Sequence, residues 1–173
     1  STSDILQVDY TWIFNYDKYF DFDNKINSKN IRNVQILLNS RFDLNVSFTK
    51  TYYGRTLLMD AAKLKFEIFK LLFESKYFDR SMLYLEDYFG MTVTNYAFKY
   101  NYQVVKYMTE LEYWPELMYS KDRDGDSLIN YSCNASDIVD YICNSDKCTS
   151  NMLKLTNSLG QNCSHIFVNR NSQ

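Results

Sequence analysis

A chain of 173 residues, 46% of them hydrophobic, is about one domain long and apolar enough for a core, while a formal net charge of -2 lacks the basic excess that nucleic-acid binding needs. Four Gly and one Pro are too few for the many tight turns of a β-sandwich or barrel, which favours a helix-rich fold. No stretch approaches the roughly 18 consecutive apolar residues of a membrane span, and Ser1-Thr2-Ser3-Asp4 opens no basic-then-apolar leader, so no membrane insertion and a cytoplasmic setting are expected.

Residues 1–29 set aromatics among acids, as in Asp9-Tyr10-Thr11-Trp12-Ile13-Phe14 and Tyr19-Phe20-Asp21-Phe22, and do not share the pattern that follows. That pattern is marked by Gly54, Gly90, Gly125 and Gly160, which are 36, 35 and 35 residues apart. Asp87, Asp122 and Asn157 stand three residues before the last three of these glycines, and Thr56, Thr92 and Ser127 stand two residues after the first three. An apolar helix-like segment follows each: 57–62, 93–98 and 128–133. A second comes at 68–72, 104–108 and 138–142. Gly supplies positive φ at a turn, Asp or Asn can fold onto the turn backbone, and Thr or Ser caps the first helix. In the second segments Ile68/Phe69 and Leu71/Leu72 lie three and four apart, making one buried stripe. One helix pair cannot bury both its faces, so neighbouring pairs must stack.

The motif Asp-x-x-Gly-x-Thr, an apolar pair, an Ala-Ala step and Ile-Val-x-x-Leu-Leu resembles the ankyrin repeat. Tyr53-Gly54-Arg55-Thr56-Leu57-Leu58-Met59-Asp60-Ala61-Ala62 is the nearest match, and Phe42-Asp43-Leu44-Asn45 is similar to the end of a preceding unit whose second helix would be 31–38. The resemblance implies an all-α solenoid of stacked helix-turn-helix units with short hairpin-like turns. About four to five units would cover 30–173, the last partial, with 1–29 as an atypical N-terminal cap of the same domain. The pattern departs from the family in places. Leu57, Val93, Leu128 and Cys163 replace the usual Pro, and Met59, Asn95 and Asn130 replace the usual His, which returns only as His165. The Gly between the helices is missing, and that link looks one or two residues short.

Chemistry-bearing residues are sparse. His165 is the sole histidine and falls where the family carries a structural one. No two glycines are close enough to form a phosphate loop. Asp122-Arg123-Asp124-Gly125-Asp126 resembles the start of a calcium loop but lacks its Gly and its closing Glu, since Ser127 and Cys133 stand there. Glu110/Glu112 and Asp21/Asp23 read as solvated charge. Cys133, Cys143, Cys148 and Cys163 match no zinc spacing and read as reduced thiols. The four Asn-x-Ser sequons, at Asn45, Asn130, Asn134 and Asn162, read as chance in an Asn- and Ser-rich chain. No catalytic group, metal or cofactor is therefore expected.

The resemblance implies instead a protein-protein interaction module that binds along its concave face and turn tips. The tip and helix-end residues expected to bind are Tyr52, Tyr53, Arg55, Tyr88, Phe89, Met91, Tyr100, Arg123 and Asp126, the aromatics and Arg being what interfaces use as anchors. Packing of the same aromatics between adjacent tips is the competing expectation. A regulatory or scaffolding domain of a larger enzyme is the alternative function, and self-association through the aromatic patch a further one. The abundance of Asn, Lys, Tyr, Asp and Ile points to an AT-rich genome, as in some viruses, protozoan parasites and intracellular bacteria. Ankyrin proteins of such sources often engage host signalling or ubiquitin machinery, which would make host cytoplasm the setting.

Overall fold

A computed structural model describes residues 54–132, 135–147, 149–163 and 165, with the isolated helical positions Arg32, Gln35, Leu38 and Asn39. The described residues are helical and contain no β-strand, only an antiparallel bridge between Lys121 and Ser127. After Gly54 come α1 (Leu57–Leu64) and α2 (Phe66–Phe73), then a 3-10 turn (Arg80–Tyr84). After Gly90 come α3 (Val93–Tyr100), α4 (Tyr102–Met108) and the short α5 (Trp114–Met118). After Gly125 come α6 (Leu128–Ser132), α7 (Ser136–Asn144) and α8 (Ser150–Leu153). The N-terminal cap expected over 1–29 lies outside the described residues. Of the helix expected over 31–38, Arg32 and Gln35 are exposed and Leu38 packs against the core.

Each first helix begins at the hydroxyl residue read as its cap. Thr56 Oγ1 accepts from the Met59 N–H at 3.2 Å, and Thr92 Oγ1 from the Asn95 N–H at 3.5 Å. Asn95 Oδ1 returns the bond from the Thr92 N–H at 2.8 Å, and Asn130 Oδ1 does so from Ser127 at 3.0 Å. This is a capping box in which Asn stands for the usual acid. A single extended residue, Lys65 (φ -146°) or Asn101 (φ -142°), then joins first helix to second. Its N–H donates to the carbonyl of Ala61 or Ala97, 2.8 Å away in each case. No left-handed residue is needed at so short a link, which is why the missing glycine is tolerated.

The helices lie in two rows. α1, α3 and α6 pack side by side, α2, α4 and α7 form the second row, and each pair packs together within its unit. The first helices are therefore enclosed from several sides. Leu57 to Ala62 are all buried, as are Val93 to Phe98. Small side chains make this feasible: Ala61, Ala97 and Ser132 occupy the same place in successive units, seven residues after the glycine. The short third segments were not anticipated. The 3-10 turn buries Met82 and Leu83, α5 buries Trp114, Leu117 and Met118, and α8 buries Met152. Trp114 stacks on Phe98 with ring centroids 5.5 Å apart, tying α5 to the first row. The sole proline, Pro115, sits in the first turn of α5, where its missing N–H has no intrahelical partner to lose.

One expectation needs correction. Cys163 is disulfide-bonded, so the four cysteines are not all reduced thiols; Cys143 is free and exposed. No helix among the described residues is long and apolar enough to cross a membrane.

In the second row Tyr107 lies among Phe66, Phe69 and Phe73, and its hydroxyl donates to Glu74 Oε1 at 2.9 Å. Burial, then the Glu74 bond, push its phenol up to about 12. The folded state thus favours the neutral phenol. That contribution is complete below the ordinary value of 10.0 and is lost as pH rises toward about 12. Denaturant unfolding across this alkaline range should show stability falling, and falling less steeply in Tyr107→Phe. Identical slopes would mean that Tyr107 carries no such linkage.

Candidate functional site

The turn tips are built by one repeated set of hydrogen bonds. Asp87 Oδ1 accepts from the Phe89 and Met91 N–H groups, both at 2.9 Å. Asp122 Oδ1 takes those of Asp124 and Asp126 at 3.0 and 2.9 Å, and Asn157 Oδ1 those of Leu159 and Gln161 at 3.0 and 2.9 Å. In each turn the Gly N–H donates to the Asp or Asn carbonyl, at 3.1, 3.1 and 3.0 Å. The glycine itself is left-handed, φ 76° at Gly90 and 71° at Gly160. The second carboxylate oxygen holds the helix behind: Tyr96 donates to Asp87 Oδ2 at 2.6 Å, and Tyr131 donates to Asp122 Oδ2. Burial, and then the Asp bond, raise the phenol pKa of both tyrosines. Asp122, read as the possible first ligand of a calcium loop, thus has both oxygens committed to the turn and to Tyr131.

The tips also pack on one another. A Cβ on Gly54 would meet the Tyr88 ring, one on Gly90 the Arg123 side chain, and one on Gly125 the Ser158 backbone. The residue two before each glycine therefore lies over the previous glycine. Arg123 Nη1 donates to the Tyr88 carbonyl at 3.0 Å while its Nε sits 3.5 Å from Glu86, and Ser158 Oγ donates to the Asp124 carbonyl at 2.6 Å. Among the described residues, nothing lies within 4 Å of such a Cβ on Gly160.

The expected binding residues divide on this geometry. Tyr88 packs one part of its ring on Gly54 and is still 65% exposed. Phe89, 60% exposed, and Tyr100, 47% exposed, present large apolar surface. Arg55 is turned inward instead of outward. Its side chain is 15% exposed and pairs with buried Asp60 at 2.8 Å. Met91 packs partly buried against the core rather than standing free as an anchor. Arg123 is exposed but engaged in tip packing, and Asp126 is partly buried. Burial, reinforced by Asp122 and Asp124, raises the Asp126 carboxyl, while an Asn157 bond opposes the rise. Tyr52 and Tyr53 lie outside the described residues.

Sequence reasoning missed the Arg55–Asp60 pair, and a signal for it existed. Asp60 occupies the place that Tyr96 and Tyr131 hold in the next two units, in the unit where Thr51 replaces the turn Asp. The helix-end residues Lys63, Lys99 and Tyr100 come together on the first-helix row: the Lys63 and Lys99 ammonium groups lie 4.9 and 5.4 Å from the centroid of Tyr100, and Lys99 lies 5.9 Å from that of Tyr131. His165 is exposed; its Nδ1 accepts from the Asn162 N–H at 3.3 Å, and its own N–H donates to Asn162 Oδ1 at 3.0 Å. That arrangement is a helix cap.

The tip packing is testable by glycine substitution. Gly160→Ala carries only left-handed strain, about 1–2 kcal/mol. Gly90→Ala adds the collision with Arg123, so denaturant titration should show the larger loss for G90A. The gap should narrow when Arg123→Ala is present in both. Equal losses would mean that the tips do not pack in solution.

The chain matches no protein-family model, and a search of curated proteins finds none similar in sequence.

Proposed function

We propose that the chain is a divergent ankyrin-repeat stack acting as a protein-binding module, with no reaction of its own. The observation that carries this reading is the turn that recurs after Gly54 with its hydrogen bonds unchanged at 87–91, 122–126 and 157–161. Such turns, stacked tip on tip and backed by two rows of helices, are the architecture the ankyrin resemblance implies. A stack of this kind offers an extended surface, which suits a partner protein. Its side chains are bound up with structure: the carboxylates of Asp87, Asp122 and Asp60 all have partners within the fold.

The aromatic tip is the strongest candidate contact. Phe89 and the outer part of Tyr88 stand at one apex, where large apolar exposure marks interaction surfaces. Phe89→Ala should lower capture of a partner at least about tenfold, while unfolding free energy moves by less than about 1 kcal/mol. The partner is first recovered by affinity capture from the native source and identified by mass spectrometry. Phe89→Ala binding as tightly as the unaltered chain would remove the tip from the interface, and loss of the fold would make Phe89 a core residue.

A further inference from the structure

Lys63 lies in the last turn of α1 and Lys99 in the last turn of α3, the two neighbouring first helices, and both side chains turn to one exposed ring, Tyr100. Basic residues at helix C-termini are ordinary, since they oppose the negative end of the helix dipole. That accounts for one lysine at each end but not for two like charges brought to the same ring. Their distances to the ring centroid put the two ammonium groups at most about 10 Å apart. Neither has a carboxylate within ion-pair distance among the described residues, although the whole chain holds 21 acids against 19 bases. Lys70 and Lys147, by contrast, reach Glu74 and Glu110. Two unneutralised cations flanking an exposed aromatic, in an acidic chain, make a surface complementary to an anionic segment that can also cover a ring.

We propose that this Lys63–Tyr100–Lys99 surface docks an acidic, extended segment of the partner protein, with carboxylates on alternate residues. This rests on the protein-binding reading above. Alternate side chains of an extended chain lie on one face about 7 Å apart, a span that falls within the upper bound on the ammonium separation. A carboxylate seats on each lysine, and the intervening backbone lies across Tyr100. The segment runs from one unit to the next along the stack.

The probe is a fluorescein-labelled peptide of alternating Glu and Ala, titrated with the full chain and followed by fluorescence polarisation. The expected result is saturable binding that weakens steeply with added salt. Lys63→Gln and Lys99→Gln should each bind about fivefold more weakly, with unfolding midpoints unchanged, while Lys106→Gln, an exposed lysine on the second row, should bind as the unaltered chain does. The double variant K63E/K99E should prefer an alternating Lys-Ala peptide. Absence of saturable binding, equal losses in all three Gln variants, or a preference for a phosphoserine-Ala peptide that inorganic phosphate abolishes would each overturn the proposal. The outcome separates from that of the aromatic tip. Partner capture sensitive to Phe89→Ala but indifferent to K63Q and K99Q overturns this proposal alone. The converse overturns the tip and leaves this surface standing.

Discussion

The rest of the structure depends on one side-chain oxygen per unit. In each described turn from 87 onward, Asp or Asn Oδ1 receives the N–H groups two and four residues ahead, around a left-handed glycine. No helix or strand ladder is available to those donors, and leaving them unpaired in a partly buried turn would be unfavourable by about 1–3 kcal/mol each. The same carboxylate reaches back through its second oxygen to Tyr96 or Tyr131 on the following helix. One residue thus shapes the tip and fixes its angle to the helix it introduces. Because the tips then lie on one another, the spacing of the turns and the spacing of the first helices must agree along the stack.

What was legible in the sequence follows from what is local. The glycines, the Asx residues and the Thr or Ser caps act within a few positions of themselves, so their recurrence is visible in the letters and the structure returns it. The paired helices were legible for the same reason, since their apolar residues recur at helical spacing. The third segment of each unit was not. The 3-10 turn, α5 and α8 are five, five and four residues long, too short to show a period. They are held by tertiary packing such as Trp114 on Phe98. Arg55 was misread because its orientation depends on Asp60, five residues on, where the other units place Tyr. A tip position looks alike in every unit until its partner on the helix behind is compared as well.

The same comparison separates structural from available tip positions. Two residues before each glycine, Tyr88, Arg123 and Ser158 cover the preceding turn, and their chemistry varies because a flat ring, an alkyl stem and a small hydroxyl all fit over a glycine. One residue before each glycine, Phe89, Asp124 and Leu159 are all exposed, and the hydrogen bond that holds this position uses only its backbone N–H. The turn hydrogen bond itself therefore does not select their side chains. An aromatic, an acid and an aliphatic residue can follow one another along the tips with the scaffold unchanged. The charge on the stack is divided in a parallel way, with Lys63 and Lys99 on the units after Gly54 and Gly90, and Asp122, Asp124 and Asp126 at the next turn.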